Sequence, residues 1–355
     1  MKILRPISIV VCLSLSAASA VAQVQLLPPP GSPPPAAKPV KPAKAKIIKP
    51  AAKKPPASTA APAPALPATA APAPVPDDPN ADVVFGAYQR GQYKTAFDLA
   101  TRRAENSDPK AMAMLGELYA GGLGVKRDYA RAADWYKRAA DLGDREAMFA
   151  LAMLRISGRG GPVNREEGAK LLASSAKLGS PKAAYNLALL YLDGQTLPQD
   201  LKRAAELLRV AADAGNPEAQ YALATFYKEG TGVPKDLDKA VRLLQAASLA
   251  DNVDAEVEYA IALYNGTGTP KNEPAAVALL RKAARQNSPI AQNRLASVLV
   301  ARPGAPEDRI EGLKWHIVAK TAGKGDLKLD EALAQASPED RAKAEDAARK
   351  WLGAK

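Results

Sequence analysis

Apolar residues recur at helical spacing from Pro109 to about residue 325, and the whole pattern returns every 36 residues without slippage. In the unit Pro217 to Asn252, Ala219, Leu223, Ala224 and Tyr227 form one apolar stripe, and Ala240, Leu243, Leu244 and Ala247 form a second. Each stripe predicts an amphipathic helix. An Asp, Asn or Ser precedes the first helix of every unit: Asp108, Asp144, Ser180, Asn216, Asn252 and Ser288. These are side chains that accept hydrogen bonds from the open N–H groups of a helix start. Gly122, Gly158, Gly194, Gly230 and Gly266 stand where that helix must stop, at positions suited to a left-handed turn. A second column, Asp128, Asn164, Asp200, Asp236, Asn272 and Asp308, predicts the caps of the second helices. A two-helix unit at a fixed period in the range of 20–50 residues predicts an all-α solenoid.

Residue size follows the same columns. Ala111, Ala147, Ala183, Ala219, Ala255 and Ala291 share one position, and Gly116, Ala152, Ala188, Ala224, Ala260 and Ala296 another. Small side chains there let paired helices approach closely. Leu115, Leu151, Leu187, Leu223 and Leu295 fill the space between successive units.

The first unit carries Ala111, Leu115, Gly116, Leu118, Tyr119, Gly122, Gly124, Val125, Asp128, Ala132, Trp135, Tyr136, Ala139, Ala140 and Gly143. This pattern resembles the Sel-one-like repeat, a relative of the tetratricopeptide repeat, over six units spanning 109–325. The resemblance implies a right-handed α/α solenoid of helix hairpins that works as a protein-interaction scaffold. Arg155 in place of a tyrosine, Thr196 in place of a loop glycine, and Arg302 in place of the helix-ending glycine depart from it, and local loop differences are expected there. Residues 81–108 read as a divergent leading hairpin with Arg102 and Arg103 as a basic surface, and 326–355 as closing helices. In the latter, Ser337-Pro338-Glu339-Asp340 opens a helix that brings Trp351 over the last apolar face.

Composition adds an address. Lys2 and Arg5, then an apolar run from Ile7 to Ala18, then small residues around Ala20 and Ala22, read as a cleaved signal over 1–22. The run is too short to span a bilayer comfortably, so no transmembrane span is expected in the mature chain. The single cysteine, Cys12, lies inside that signal, which leaves no disulfide or thiolate in the mature chain. A bacterial periplasm is the expected location. Residues 23–80 are dominated by Pro, Ala and Lys, a composition that cannot bury enough apolar surface to offset chain entropy. Their lysines, Lys38 to Lys54, read either as a solvated spacer or as a contact for an anionic cell-wall polymer such as peptidoglycan.

Charge narrows the function. Of the formal +12, nine charges precede residue 77, which leaves +3 on the repeats and their ends. With 5% aromatic residues, this excludes the basic, base-stacking surface of a nucleic-acid binder. His316 is the only histidine and reads as half-buried packing beside Trp315, so no metal site and no cofactor is expected. Ser174 and Ser175 have no histidine nearby in sequence, and no nucleophile–base pair supports an enzyme.

By analogy with tetratricopeptide arrays, the column Phe149, Tyr185 and Tyr221 is expected on the concave face. Its neighbouring column holds Glu117, Met153, Leu189, Thr225 and Ile261. Together they predict a groove for an envelope protein or peptide, although packing between units would also select tyrosine there. Exported proteins similar in repeat type include negative regulators of exopolysaccharide production and envelope signalling, an analogy of repeat type and not of partner.

Overall fold

The structure, a computed structural model, describes residues 82–302 and 306–353. The segments read as a signal and as a Pro/Ala/Lys-rich linker lie outside these residues. Sixteen helices and no strand occur among the described residues. Helices α1 (Val83–Gln89) and α2 (Tyr93–Glu105) form a leading hairpin. The repeats contribute α3 (Pro109–Gly121) with α4 (Tyr129–Asp141), α5 (Arg145–Ser157) with α6 (Arg165–Lys177), and α7 (Pro181–Asp193) with α8 (Leu201–Asp213). Then come α9 (Pro217–Glu229) with α10 (Leu237–Leu249), α11 (Val253–Asn265) with α12 (Glu273–Arg285), and α13 (Pro289–Ala301) with α14 (Pro306–Thr321). Helices α15 (Leu327–Ala334) and α16 (Pro338–Trp351) close the array.

Each helix packs mainly on its neighbours in the chain, as a solenoid requires. The side chain of every first-column cap accepts a backbone hydrogen bond two or three residues on, as Asn216 does from Ala219 at 2.6 Å. A cap of this kind stabilises a helix by about 1 kcal/mol. Asp128, Asn164, Asp200, Asp236 and Asn272 do the same for the second helices. With both ends fixed by sequence, α3 to α13 all have 13 residues. The loop glycines then lock one unit to the previous one. A Cβ on Gly268 would lie 2.6 Å from the carbonyl oxygen of Leu237, the first residue of α10.

Two expectations are corrected. Asp308 does not cap α14; the helix begins at Pro306, and Asp308 sits in its first turn, where its carboxylate accepts from Arg281 at 2.9 Å. The cause is local. Arg302 takes an extended conformation (φ −76°, ψ 133°) where five earlier units turn left-handed at glycine. His316 is fully buried, not half-buried, because α15 covers it: its Nε2 lies 2.8 Å from Asp330 Oδ1, which also accepts from Lys320 at 2.7 Å. Those two partners, Lys320 foremost, hold the Asp330 carboxyl below its ordinary range.

Both ends are tied to the repeats. Arg103 donates to Asp82 at 2.9 Å and to Asp108 at 2.7 Å, joining the leading hairpin to the cap of α3. Trp351 meets Trp315 edge-to-face at 4.9 Å, and Trp315 is left 2% exposed.

Candidate functional site

The face built from the first helices carries the predicted residues. Along a helix, positions i, i+3, i+7 and i+11 fall on one side. In α7 that stripe is Lys182, Tyr185, Leu189 and Asp193; in α9 it is Glu218, Tyr221, Thr225 and Glu229. In α11 it is Asp254, Val257, Ile261 and Asn265.

The seven predicted residues divide by burial. Phe149, Met153, Tyr185 and Glu117 are buried, Phe149 to 1% exposure, and the first three join a single cluster that knits α5 to α9. Leu189, Tyr221 and Thr225 are partly exposed, as is Ile261. The open part of the stripe therefore lies on α7, α9 and α11. Burial pushes the Tyr185 hydroxyl up to about 12, with help from the charge of Glu218. Tyr221 is pushed to a similar value by burial and then by Asp254, Glu258 and Glu229.

Those carboxylates are the feature that residue-by-residue reading missed. Together α9 and α11 carry Glu218, Glu229, Asp254, Glu256 and Glu258 against one cation, Lys228. Two of the five are satisfied. Lys228 donates to Glu258 at 2.9 Å, and the buried Glu256 pairs with Lys282 at 2.6 Å and accepts from Gln286 at 3.0 Å. Glu218, Glu229 and Asp254 have no salt-bridge partner among the described residues. The signal was the helical spacing itself, which places Glu218 and Glu229 on the side of Tyr221.

Glu117 is different. It is a buried carboxylate clamped by two phenols, Tyr136 donating at 3.0 Å and Tyr88 at 3.4 Å. Burial raises its pKa, opposed by the hydrogen bonds from Tyr136 and Tyr88 and by the charge of Lys182. This arrangement fastens the leading hairpin to the first repeat.

Little elsewhere offers chemistry. Ser175 donates to the backbone of Arg145 at 2.7 Å and Ser174 to that of Lys170 at 3.1 Å, both structural bonds. Among the described residues no three His, Cys, Asp or Glu side chains are grouped to hold a metal ion. No described helix is long and apolar enough to cross a membrane. An open depression of about 740 Å³ beside α12 is lined by Asp251, Arg281, Lys282, Arg285 and Gln286. Two of its three cations are already engaged, Arg281 with Glu311 and Asp308, and Lys282 with Asp251 and Glu256.

Comparison with known proteins agrees with this architecture. The Sel1 repeat model matches six consecutive segments, 109–144, 145–180, 181–216, 217–252, 253–288 and 289–324. A Sel1 repeat protein from Oxalobacter formigenes is similar at 24% identity and a TM-score of 0.57, over 65% of this chain and 94% of that one. A protective antigen of uropathogenic Escherichia coli with an SLR fold is similar at 24% identity and a TM-score of 0.53, over 74% of this chain and 64% of that one. At these identities the likeness is one of fold. Comparison with curated proteins finds no match. Sel1 repeat proteins generally mediate protein–protein interaction and are generally non-catalytic. The matched segments cover more than half of the chain and coincide with the helix pairs α3 to α14, and on that ground this protein belongs to the Sel1 repeat family.

Proposed function

We propose that this protein is a non-catalytic periplasmic scaffold or regulator that docks an envelope protein or peptide on the face of its first helices. The observation that carries this reading is the partly exposed stripe Leu189, Tyr221, Thr225 and Ile261, flanked by carboxylates and standing on a buried aromatic base. Apolar and hydroxyl-bearing positions on rigid neighbouring helices are how a helical groove grips an extended or helical segment. Phe149, Met153 and Tyr185 contribute by holding that surface in place from beneath, and Glu117 by fastening the leading hairpin to the first repeat. Export follows from the N-terminal signal pattern, with cleavage after Ala20 or Ala22.

Photo-crosslinking in cells tests the docking face. A photoreactive side chain at Leu189, Tyr221 or Thr225 should yield one discrete protein adduct, absent when the probe is at the exposed second-helix positions Glu206 or Arg242. Equal adducts from both faces, or adducts only from the second helices, would refute the groove reading. Fractionation with N-terminal sequencing tests the address; a cytoplasmic protein that retains Met1 would overturn it.

A further inference from the structure

The unpaired carboxylates of α9 and α11 have a counterpart of opposite charge in the same amino-acid sequence. Residues 38–54 hold seven lysines, four of them directly followed by proline (Lys38, Lys41, Lys49 and Lys54), and no acidic residue occurs from Gln23 to Pro76. Glu218 and Asp254 hold the same position in successive first helices, and the charges of Asp254, Glu258 and Glu229 all bear on the Tyr221 hydroxyl. Lys182, which holds this position in α7, ends the acidic run. Tyr221 lies between the two carboxylates in sequence register, and a partly exposed tyrosine suits the face of a proline ring.

Reach is sufficient. Lys54 precedes Asp82 by 28 residues, a span of up to about 85 Å at the extended spacing of a proline-rich strand. From α1 to α9 is a path of eight successive helix packings, at most about 80 Å at the usual spacing of packed helices.

We infer that residues 38–54 lie across α9 and α11 of the same molecule, with lysines against Glu218, Glu229 and Asp254 and prolines against Tyr221. The arm then occupies the acidic end of the groove until a partner displaces it. This goes beyond the docking function proposed above and does not need that partner to be measured.

The test uses the full mature chain without any partner. Carbodiimide crosslinking joins lysine amines to carboxylates in contact, and an equal mixture of isotopically light and heavy protein separates links within a molecule from links between molecules. Links from the arm lysines to Glu218, Glu229 and Asp254 within one copy are expected, with yields falling at least about fivefold when salt screening is raised to 0.5 M. Links between light and heavy copies, or comparable links to remote exposed carboxylates such as Glu166 and Glu307, would overturn the inference. A synthetic peptide of residues 37–55 gives a second reading. It should bind at least about tenfold more tightly to a chain whose seven arm lysines are changed to glutamine, because the wild-type site is already filled. Equal affinity for the two proteins would also overturn it. If arm links fail while photo-crosslinking from Tyr221 still captures a partner, only the arm inference falls.

Discussion

Gly116 and Tyr136 share one volume: a Cβ built on Gly116 would lie 2.6 Å from the Tyr136 ring, far inside contact distance. At the equivalent positions the next four units pair Ala152 with Leu172, Ala188 with Leu208, Ala224 with Leu244 and Ala260 with Leu280, all buried. The small residue is thus matched to the size of the side chain opposite. Gly116→Ala should lower stability by about 1–3 kcal/mol through overpacking, despite its better helix propensity. Gly116→Ala/Tyr136→Leu, which restores the pair used elsewhere, should lose less than the two single changes together. Denaturant unfolding of the full cycle measures this coupling; strict additivity would show that the two residues do not compete for space.

The same tyrosine holds Glu117, whose carboxyl is raised above its ordinary value mainly by burial. A carboxyl with a higher pKa in the folded than in the unfolded state binds its proton more tightly when folded. Its contribution is therefore favourable at low pH and is lost as pH rises from the ordinary glutamate value of 4.5 through the raised value of the folded state. Glu117→Gln should remove that pH dependence. The stability difference between wild type and variant should shift in favour of wild type as pH falls toward 4.5, and chemical unfolding across pH 4–7 reads it. A difference that stays flat with pH would show that Glu117 titrates alike in both states.

Caps and helix lengths were legible because they are settled within three residues: Asn216 reaches Ala219, and Gly230 needs only its own φ of 78°. Where the outcome depended on distant chain, the sequence pattern was silent. The burial of Glu117 requires Tyr88, 29 residues earlier, and that of His316 requires Asp330 from a closing helix outside the repeat. Asp308 fitted its column, yet the sixth unit lacks the glycine that sets the loop path, and the column lost its meaning there. The stripe was legible as a face, but not which members sink. Phe149 and Tyr185 are covered by neighbouring units, whereas Tyr221 keeps an open edge beside charged residues that a search for aromatic positions passed over.

Ser107 adopts φ 59° at the position where Gly143, Gly179 and Gly215 adopt 89°, 82° and 85°. A left-handed conformation disfavours a residue with a Cβ by about 1–2 kcal/mol, and glycine returns part of that through greater freedom when unfolded. Ser107→Gly should therefore raise stability by about 0.5–1 kcal/mol. The reverse change, Gly143→Ser, should lower it by a similar amount. Thermal unfolding of both variants checks the sign; an unchanged midpoint for Ser107→Gly would mean that its left-handed turn carries no strain.

Trp351 is the last large residue to cover the repeats, 36% exposed itself while shielding Trp315, with Lys314 Nζ above both rings at 4.1 Å from Trp315 and 4.9 Å from Trp351. Aromatic contact of this geometry contributes about 0.5–1.5 kcal/mol beyond area burial. In a solenoid each unit depends mainly on its neighbours, so loss at one end should remain near that end. Trp351→Ala should therefore speed amide exchange in α13 to α16, which share the cluster holding Trp315, Leu295, Leu329 and Ala348. Exchange in α3 and α4, whose core is a separate cluster around Leu115, Tyr136 and Leu151, should hardly change. A uniform increase along the whole array would show that the repeats unfold as one cooperative unit, and that the closing helices stabilise the first repeat as much as the last.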